Sequence, residues 1–430
     1  MDLPQTSGHR LRNGAIAAGL GVAAVYGYGM AKYRRTSPRG FDLYEPAPPG
    51  TAEFARMVST VTGALTTHGN RVEVLRNGTE TFPAMLDAIA GARRTVDFSS
   101  YIYWPGEITD RFTDVFADRA RAGVEVNIVL DGYGSAKLDR AHVQRLERAG
   151  AHVAFFLTPR WYNVHKLNNR MHRRLLVVDG EVGFAGGVGI ADVWTGDAED
   201  PEHWRETHLR VEGPAVGDIL AGFAENWTEA TRHILGSRHL AEVGPFDDGV
   251  DLQVVRSSPT TAGTASAPLF YAAIAGAQKR LWLTTAYFAA GEAFIDALPD
   301  AARRGVDVRL LTNGPNVDKE VVRRTGQRKY GPLLDAGVRV FEYQPTMLHA
   351  KVLIVDGWAN VGSANFDHRS FGLDSELSIC MSDPGTVEVL AEQFTRDVAA
   401  SEELTVDQWR NRPLRTRAIE AVGEVFRQSL

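Results

Sequence analysis

Two segments of the 430-residue chain repeat one spacing of ionisable residues. In each segment a basic residue follows a histidine by two positions, and an aspartate follows the histidine by seven. The residues are His172, Arg174 and Asp179 in the first segment and His349, Lys351 and Asp356 in the second. The apolar run between the basic residue and the aspartate is typical of a buried strand. Because alternate side chains of a strand share a face, we expect the histidine and the basic residue to point the same way. We interpret the two aspartates, which would point away, as structural residues that bond local backbone or a basic side chain.

Two histidines and two permanent cations at one site favour chemistry on a phosphate group. The cations would repel a divalent ion, and no carboxylate or thiolate ligand accompanies the pair, so we predict no metal and no cofactor. The set suits an anionic substrate: the cations bind a phosphate, one imidazole attacks phosphorus, and the other protonates the leaving oxygen. Ser363 and Asn365, which follow the second segment, could donate further hydrogen bonds to phosphate oxygens.

The two histidine segments belong to a longer internal repeat. Ala88–Tyr103 parallels Ala273–Phe288, and Arg121–Gly132 parallels Arg303–Gly314, in the same order and at offsets near 180 residues. Two copies at this period indicate a duplicated domain and not a solenoid. Within each half, apolar β-rich runs alternate with helix-like segments, which predicts an α/β fold. We therefore expect two α/β domains related by a pseudo-twofold axis that brings both histidines to one site.

Length and composition agree with two globular domains, which we place at residues 68–247 and 248–430. The hydrophobic content of 44% and the charged content of 23% are ordinary for such a chain. The net charge of −6 argues against a dedicated nucleic-acid-binding protein. Cys380 is the one cysteine, so the chain has no intramolecular disulfide.

The first forty residues differ from the rest of the chain. Residues 13–31 carry no charge over 19 positions, which is long enough to span a bilayer, and basic residues flank them on both sides. A cleaved signal peptide is the alternative, although its cleavage site would be poor. Because a basic segment after the apolar run favours keeping that side in the cytoplasm, we predict a single-pass anchor of the cell membrane within residues 1–40. Residues 41–67 would then be a linker to cytoplasmic catalytic domains.

The repeated motifs resemble the His-x-Lys-x4-Asp signature of the phospholipase D superfamily. Gly362-Ser363-x-Asn365 behind the second copy strengthens the likeness, which covers nearly everything after roughly residue 70. The segments "SANFDHRSFGLDSE" and "WRETHLRVEGPAV" further resemble the bacterial cardiolipin synthase branch. The resemblance implies two phospholipase D-like domains and a metal-independent, two-step transfer through a phosphohistidine. It also implies a phospholipid substrate such as phosphatidylglycerol, contact with a membrane and no nucleic acid.

The first motif departs from the family pattern. Arg174 replaces the usual lysine; it keeps the charge but is bulkier and less adaptable. Gly189 stands where the motif would carry asparagine. Gly187 takes the place of the motif serine, a change that the family tolerates, and we count it with Ser363 and Asn365 among the substrate-binding positions.

The resemblance also implies which groups orient the histidines. An attacking imidazole needs an acceptor on its other nitrogen to fix the tautomer. In the superfamily, a carboxylate roughly thirty residues past each motif serves the histidine of the other half. The matching positions are Glu206 and Glu376, so we predict the crossed pairs Glu376 with His172 and Glu206 with His349. The alternative is that both glutamates are strand-end residues facing water. We favour His172 as the nucleophile.

Three function classes stay open from the sequence. The first is a membrane-anchored phosphatidyltransferase that makes cardiolipin or a related lipid. The second is a phospholipase D-type phosphodiesterase with water as acceptor, and the third is an inactive lipid-binding homologue. Trp104, Tyr287 and Phe288 follow equivalent strands of the two halves and could pack in the core or line the substrate entrance.

Overall fold

The computed structural model describes Gly21 and residues 41–157, 169–260, 264–289 and 291–412. Within these residues, sixteen strands form one sheet and two short strands form a separate pair. The strands are β1 (Thr66–Arg76), β2 (Thr95–Ser100), β3 (Glu125–Asp131), β4 (His152–Phe156), β5 (Arg170–Met171), β6 (Leu175–Val178), β7 (Val182–Gly186), β8 (Thr207–Glu212), β9 (Val250–Ser257), β10 (Arg280–Thr284), β11 (Phe288–Ala289), β12 (Asp307–Asn313), β13 (Arg339–Tyr343), β14 (Val352–Val355), β15 (Trp358–Gly362), β16 (Phe366–Asp367), β17 (Asp374–Met381) and β18 (Ser401–Leu404). The helices are α1 (Ala52–Thr62), α2 (Asn77–Ala90), α3 (Glu107–Arg121), α4 (Arg140–Ala149), α5 (Val216–Thr231), α6 (Ser266–Gly276), α7 (Glu292–Arg303), α8 (Glu320–Gln327), α9 (Tyr330–Asp335), α10 (His368–Gly372), α11 (Pro384–Ala399) and α12 (Val406–Arg410).

The order of strands in the large sheet is symmetrical about its centre. From the centre outward, the first half runs β1-β8-β7-β6-β2-β3-β4 and the second runs β9-β17-β15-β14-β10-β12-β13-β18. The first strands of the two halves, β1 and β9, pair antiparallel, as a twofold axis between them requires. Each half has three parallel strands, which helices connect, toward its outer edge. Nearer the centre of the sheet, the strands of each half are antiparallel. The prediction of a mixed α/β fold with two duplicated domains is confirmed.

An apolar cluster joins the two halves on one side of this sheet. It contains Phe223 and Trp227 of α5 in the first half together with Leu390 and Phe394 of α11 in the second. Buried side chains from strands of both halves, such as Val177 and Ile354, pack into the same cluster. The two domains therefore share a core as well as a sheet.

The two motif aspartates have the structural role that the sequence indicates. The carboxylate of Asp179 accepts hydrogen bonds from the backbone N–H groups of residues 93–95, at 2.7–2.9 Å. The carboxylate of Asp356 accepts three equivalent bonds from residues 278–280, at 2.8–3.0 Å. Both aspartates have positive φ, 55° and 51°, at the turn after β6 or β14. Each one ties that turn to the start of the neighbouring strand and faces away from the histidines.

Part of the segment predicted to be a linker is a helix. Thr51 caps the start of α1, accepting a bond from the backbone N–H of Phe54 at 3.1 Å. Phe54 and Val58, one turn apart, are buried against the second domain, where the Phe54 ring meets the Trp358 ring edge-on at 5.4 Å. The apolar pair gives α1 a face that must be covered, so residues 52–62 belong to the folded body and do not act as a linker.

The predicted membrane anchor lies outside the described residues, apart from Gly21. Among the helices that the structure does describe, none has both the length and the apolar character needed to cross a bilayer.

Candidate active site

Each motif histidine lies where the chain of one half runs beside a strand of the other. β5, which precedes His172, pairs in parallel with β17 of the second half. The backbone N–H of His172 then donates to the carbonyl of residue 375 at 2.9 Å, and that of His349 donates to the carbonyl of residue 205 at 2.7 Å. Both carbonyls belong to the residue just before a glutamate that we predicted to be catalytic. The backbone itself therefore brings each histidine to the carboxylate of the opposite half.

The side chains form the predicted crossed pairs. His172 Nδ1 lies 2.9 Å from Glu376 Oε1, and His349 Nδ1 is hydrogen-bonded to Glu206 Oε2. Both glutamates are fully buried, and the histidines are only 8% and 5% exposed. The alternative of strand-end glutamates facing water is therefore wrong. A carboxylate that accepts from Nδ1–H leaves Nε2 as the nitrogen that can attack or protonate a substrate.

Burial sets the charge state of these pairs. Removal from water, followed by the nearby cations, holds the pKa values of His172 and His349 well below the usual range. Burial also raises the pKa of Glu206, and it raises the pKa of Glu376 to about 7. Both imidazoles are therefore neutral at pH 7 in the free protein, as a nucleophile must be.

The two motif cations lie against the histidines. Arg174 Nη2 is 3.0 Å from His172 Nε2, and Nη1 donates to the His172 carbonyl. Lys351 Nζ is 2.8 Å from His349 Nδ1 and 3.8 Å from a carboxylate oxygen of Glu206. Burial lowers the pKa of Lys351 to about 7, although the adjacent carboxylate opposes that shift. Arg174 thus fills the place of the family's lysine with its charge directed at the histidine.

Ser363 has a different place from the one predicted. Its hydroxyl donates to Glu376 Oε2 and accepts from the Leu377 N–H at 3.1 Å, and it does not line the cavity described below. It therefore positions the carboxylate that holds His172. Asn365 does line the cavity, and its Oδ1 is buried with no partner among the described residues.

The two glycines that depart from the pattern in the first motif have steric reasons. A Cβ atom on Gly187, the counterpart of Ser363, would lie 2.3 Å from a carboxylate oxygen of Glu206. Gly187 therefore makes room for the crossed glutamate and, like Ser363, does not line the cavity. A Cβ on Gly189 would lie 2.9 Å from the ring of Trp194, which occupies the space of the missing asparagine.

An open cavity of about 390 Å³ exposes both histidines. Five basic side chains and three carboxylates line it, which leaves the wall positively charged. The basic side chains are those of Lys137, Arg170, Arg174, Lys319 and Arg369, and the carboxylates are those of Asp318, Asp367 and Asp374. Trp104 and Tyr287 also line the cavity, whereas Phe288 is buried and stacks on Phe366 at 5.7 Å. Of the two alternatives that the sequence left open, lining the cavity therefore holds for Trp104 and Tyr287, and packing in the core holds for Phe288.

Three aromatic side chains that could not be expected from the sequence pack on the histidines. Trp194 and Trp204 lie 5.2 and 5.6 Å from the ring of His349, and Tyr101 lies 5.1 Å from the ring of His172. The two tryptophans come from the loop between β7 and β8, where no periodic pattern marks them. Only the acidic and aromatic composition of that loop could have indicated that its tryptophans lie near the site.

One group of donor atoms near the site has the spacing of a metal site. A ring nitrogen of His172 and carboxylate oxygens of Asp374 and Glu376 all lie within 4.8 Å of one another. Asp374 is, however, paired with Arg369 at 3.1 Å, and Glu376 already accepts from its histidine and from a hydroxyl. With Arg174 also against the imidazole, the group is a poor metal site.

The comparison with known families agrees with this geometry. The model described as "Cardiolipin synthase, PLD-like domain" matches residues 85–215 and again residues 270–398, one match in each half of the sheet. The chain belongs to the PLD-like cardiolipin synthase family. The assignment made from the motifs, to the phospholipase D superfamily and its cardiolipin synthase branch, is confirmed.

Several curated cardiolipin synthases are similar over most of the chain. The cardiolipin synthase of Halalkalibacterium halodurans is 34% identical over 355 residues, which cover 81% of this chain and 70% of that protein. Cardiolipin synthase 2 of Bacillus anthracis is also 34% identical, over 81% of this chain and 68% of its own. These relatives support the sequence-based prediction of a phospholipase D-type phosphatidyltransferase.

A solved structure supports the architecture of this PLD-like family member. The phosphatidylserine synthase of Haemophilus influenzae Rd KW20 superposes with a TM-score of 0.66 and covers 87% of this chain and 100% of its own. Its sequence identity is 11%, so the likeness concerns the fold. Both halves of the present chain are thus part of one known double-domain arrangement.

Proposed function

We propose that this protein is a membrane-associated phosphatidyltransferase of the cardiolipin synthase type. It would transfer a phosphatidyl group between phospholipids through a phosphohistidine intermediate. The observation that carries the proposal is the pair of crossed His–Glu contacts, His172 with Glu376 and His349 with Glu206, facing one cationic cavity.

The first half-reaction follows from these contacts. Arg174 and Lys351 bind the phosphate oxygens of the donor lipid. Nε2 of one histidine attacks phosphorus, a P–N bond forms, and the P–O bond to the headgroup alcohol breaks. The other histidine takes up a proton at Nε2 when the anionic phosphate binds beside it. It gives that proton to the leaving oxygen, so the alcohol departs neutral. The buried cations stabilise the negative charge that builds up on the equatorial oxygens.

The second half-reaction reverses these roles. The histidine that gave up its proton removes one from the hydroxyl group of the acceptor lipid. The acceptor oxygen attacks phosphorus, the P–N bond breaks, and the nucleophilic imidazole is neutral again. The other imidazole again carries a proton on Nε2, which it loses to solvent once the product has left. The crossed glutamates keep each Nδ1–H in place throughout, so the same two Nε2 atoms act in both steps.

We further propose that residues 13–31 anchor the protein in the cell membrane with the catalytic domains in the cytoplasm. The support is the uncharged 19-residue run between two basic flanks. Deleting residues 1–31 should move the protein from membrane to soluble fractions and leave the α/β fold intact, with the same midpoint of thermal unfolding. A mature protein that begins near Lys32 would instead show that a signal peptide is removed.

Product analysis of the reconstituted full chain tests the proposed reaction. Vesicles that contain phosphatidylglycerol should yield cardiolipin and glycerol, and His172→Ala or His349→Ala should abolish both products. His68→Ala, which changes an exposed histidine, serves as the control. Phosphatidic acid as the main product would establish the phosphodiesterase alternative, and lipid binding without turnover would establish the inactive homologue.

A further inference from the structure

Two lysines form a second pair of cations at the cavity mouth, farther out than Arg174 and Lys351, which contact the histidines. Lys137 follows the end of β3, at Asp131, by six residues, and Lys319 follows the end of β12, at Asn313, by the same interval. Since β3 and β12 are equivalent strands, the two lysines are related by the internal repeat. Both are exposed, and both line the same cavity.

Aromatic rings fix the position of each lysine without neutralising it. Lys137 Nζ lies 4.0 Å from the centroid of the Trp104 ring, and Lys319 Nζ lies 5.5 Å from that of Tyr287. The rings are themselves held: Trp104 Nε1 donates to the Gly134 carbonyl at 2.9 Å, and the Tyr287 hydroxyl donates to Asp318. Neither lysine forms an ion pair with a described residue. The mouth therefore presents two positioned ammonium groups from opposite halves.

The proposed reaction leaves a role for two such cations. Transfer between phospholipids brings two phosphates to the site, and Arg174 and Lys351 can bind only the one that reacts. The phosphate of the acceptor lipid must lie some distance from its reacting hydroxyl, toward the membrane. Water and free glycerol carry no second phosphate, so a cationic mouth would not help to bind them.

We propose that Lys137 and Lys319 form a second anion site, which binds the phosphate of the acceptor phospholipid. The inference rests on the proposed function and adds to it the residues that bind the acceptor. Binding there places the acceptor hydroxyl over the histidines and favours a phospholipid over water or a small alcohol.

The test compares two acceptors with one donor. In mixed micelles of phosphatidylglycerol, cardiolipin formation reports transfer to a phospholipid, and incorporation of labelled free glycerol reports transfer to an acceptor without phosphate. The double variant Lys137→Ala/Lys319→Ala should form cardiolipin at about one tenth of the wild-type rate or below, because each lost charge-assisted contact weakens acceptor binding. Glycerol incorporation should stay within about twofold. Lys137→Arg/Lys319→Arg should keep most of the cardiolipin activity.

The control is Lys279→Ala/Arg303→Ala, which removes two cations that do not line the cavity. This variant should form cardiolipin at the wild-type rate. An equal fall of both reactions in the Lys137/Lys319 variant, together with lost sedimentation on phosphatidylserine vesicles, would show that the lysines contact the membrane surface in general. That outcome, or an unchanged ratio of the two products, would overturn the acceptor site and leave the proposed function standing. If the wild-type protein transfers no phosphatidyl group to either acceptor, the proposed function fails, and the inference fails with it.

Discussion

Gly187 and Glu206 approach so closely that a Cβ atom at position 187 would lie 2.3 Å from the carboxylate. At the equivalent place of the second half, Ser363 donates its hydroxyl to Glu376. The two halves thus hold their crossed glutamates in different ways: one by a hydrogen bond, the other by leaving space. Glycine in the first motif is therefore matched to the glutamate that it contacts.

Gly187→Ser, which restores the serine of the second copy, should displace the Glu206 carboxylate from His349. We expect kcat to fall by about tenfold or more, because the histidine loses the acceptor that fixes its tautomer. Initial-rate assays on phosphatidylglycerol measure the effect. Gly217→Ser is the matched control, since a Cβ there meets no atom within 4 Å. Equal activity of the two variants would contradict the proposed contact.

Glu376→Gln and Glu206→Gln keep the shape of the carboxylates and remove their charge. Each change should lower kcat by about a hundredfold to ten-thousandfold, the usual contribution of a correctly held acid or base. Circular dichroism should confirm that both variants fold. Because the pairs are crossed, Glu376→Gln should alter the NMR titration of His172 and leave that of His349 nearly unchanged. The reverse pattern would mean that each glutamate serves its own half.

The pH dependence of kcat should be bell-shaped with a maximum near pH 7. Glu376, whose pKa is raised to about 7 by burial, is protonated below that pH, and His172 then loses its anionic acceptor. Lys351, whose pKa is lowered to about 7 by burial, is neutral above that pH, and the phosphate loses a cation. A pH–rate profile in constant-ionic-strength buffers tests both limbs. Lys351→Arg should remove the alkaline fall, because arginine keeps its charge. A fall that persists in this variant would assign the alkaline limb to another group.

Excess chelator should leave the activity essentially unchanged. Arg174 and Lys351 supply the positive charge at the phosphate, and the carboxylates near His172 are already paired. Assays with and without EDTA in detergent micelles measure this without changing lipid packing. Complete loss of turnover that one particular metal restores would show that the expectation of a metal-independent site is wrong.

Asp356→Ala should lower the free energy of unfolding by about 2–4 kcal/mol, because three backbone N–H groups lose their acceptor. Urea denaturation followed by circular dichroism gives the value. Asp383→Ala removes a simple helix cap, with one bond to the backbone N–H of Thr386 at 2.7 Å, and should cost about 1 kcal/mol. An equal loss of unfolding free energy in both variants would mean that the three bonds to Asp356 stabilise the fold no more than a single helix cap does.

The contacts between the proposed catalytic residues could be predicted from the sequence better than their surroundings could. The duplicated motif and the family likeness were enough to pair His172 with Glu376 and His349 with Glu206, because the repeat imposes equivalent positions. The places of Ser363 and Gly187 were missed, since they depend on where two buried carboxylates lie after folding. Trp194 and its neighbour Trp204 were missed for a related reason: loop residues carry no periodicity that shows which way they point. The proline- and glycine-bearing stretch before helix α1 predicts a linker, and the two apolar residues of the helix that are buried, Phe54 and Val58, form too short a pattern to mark a helix of the folded domain.

The shared sheet and shared apolar cluster also limit how the enzyme can move. Proteins that close two lobes over a substrate need a boundary with few contacts, about which the lobes can rotate. Here β1 pairs with β9 across that boundary, and α5 and α11 contribute to one cluster. A hinge between the halves would break both. The proposed catalytic residues are therefore held in place before the lipid arrives.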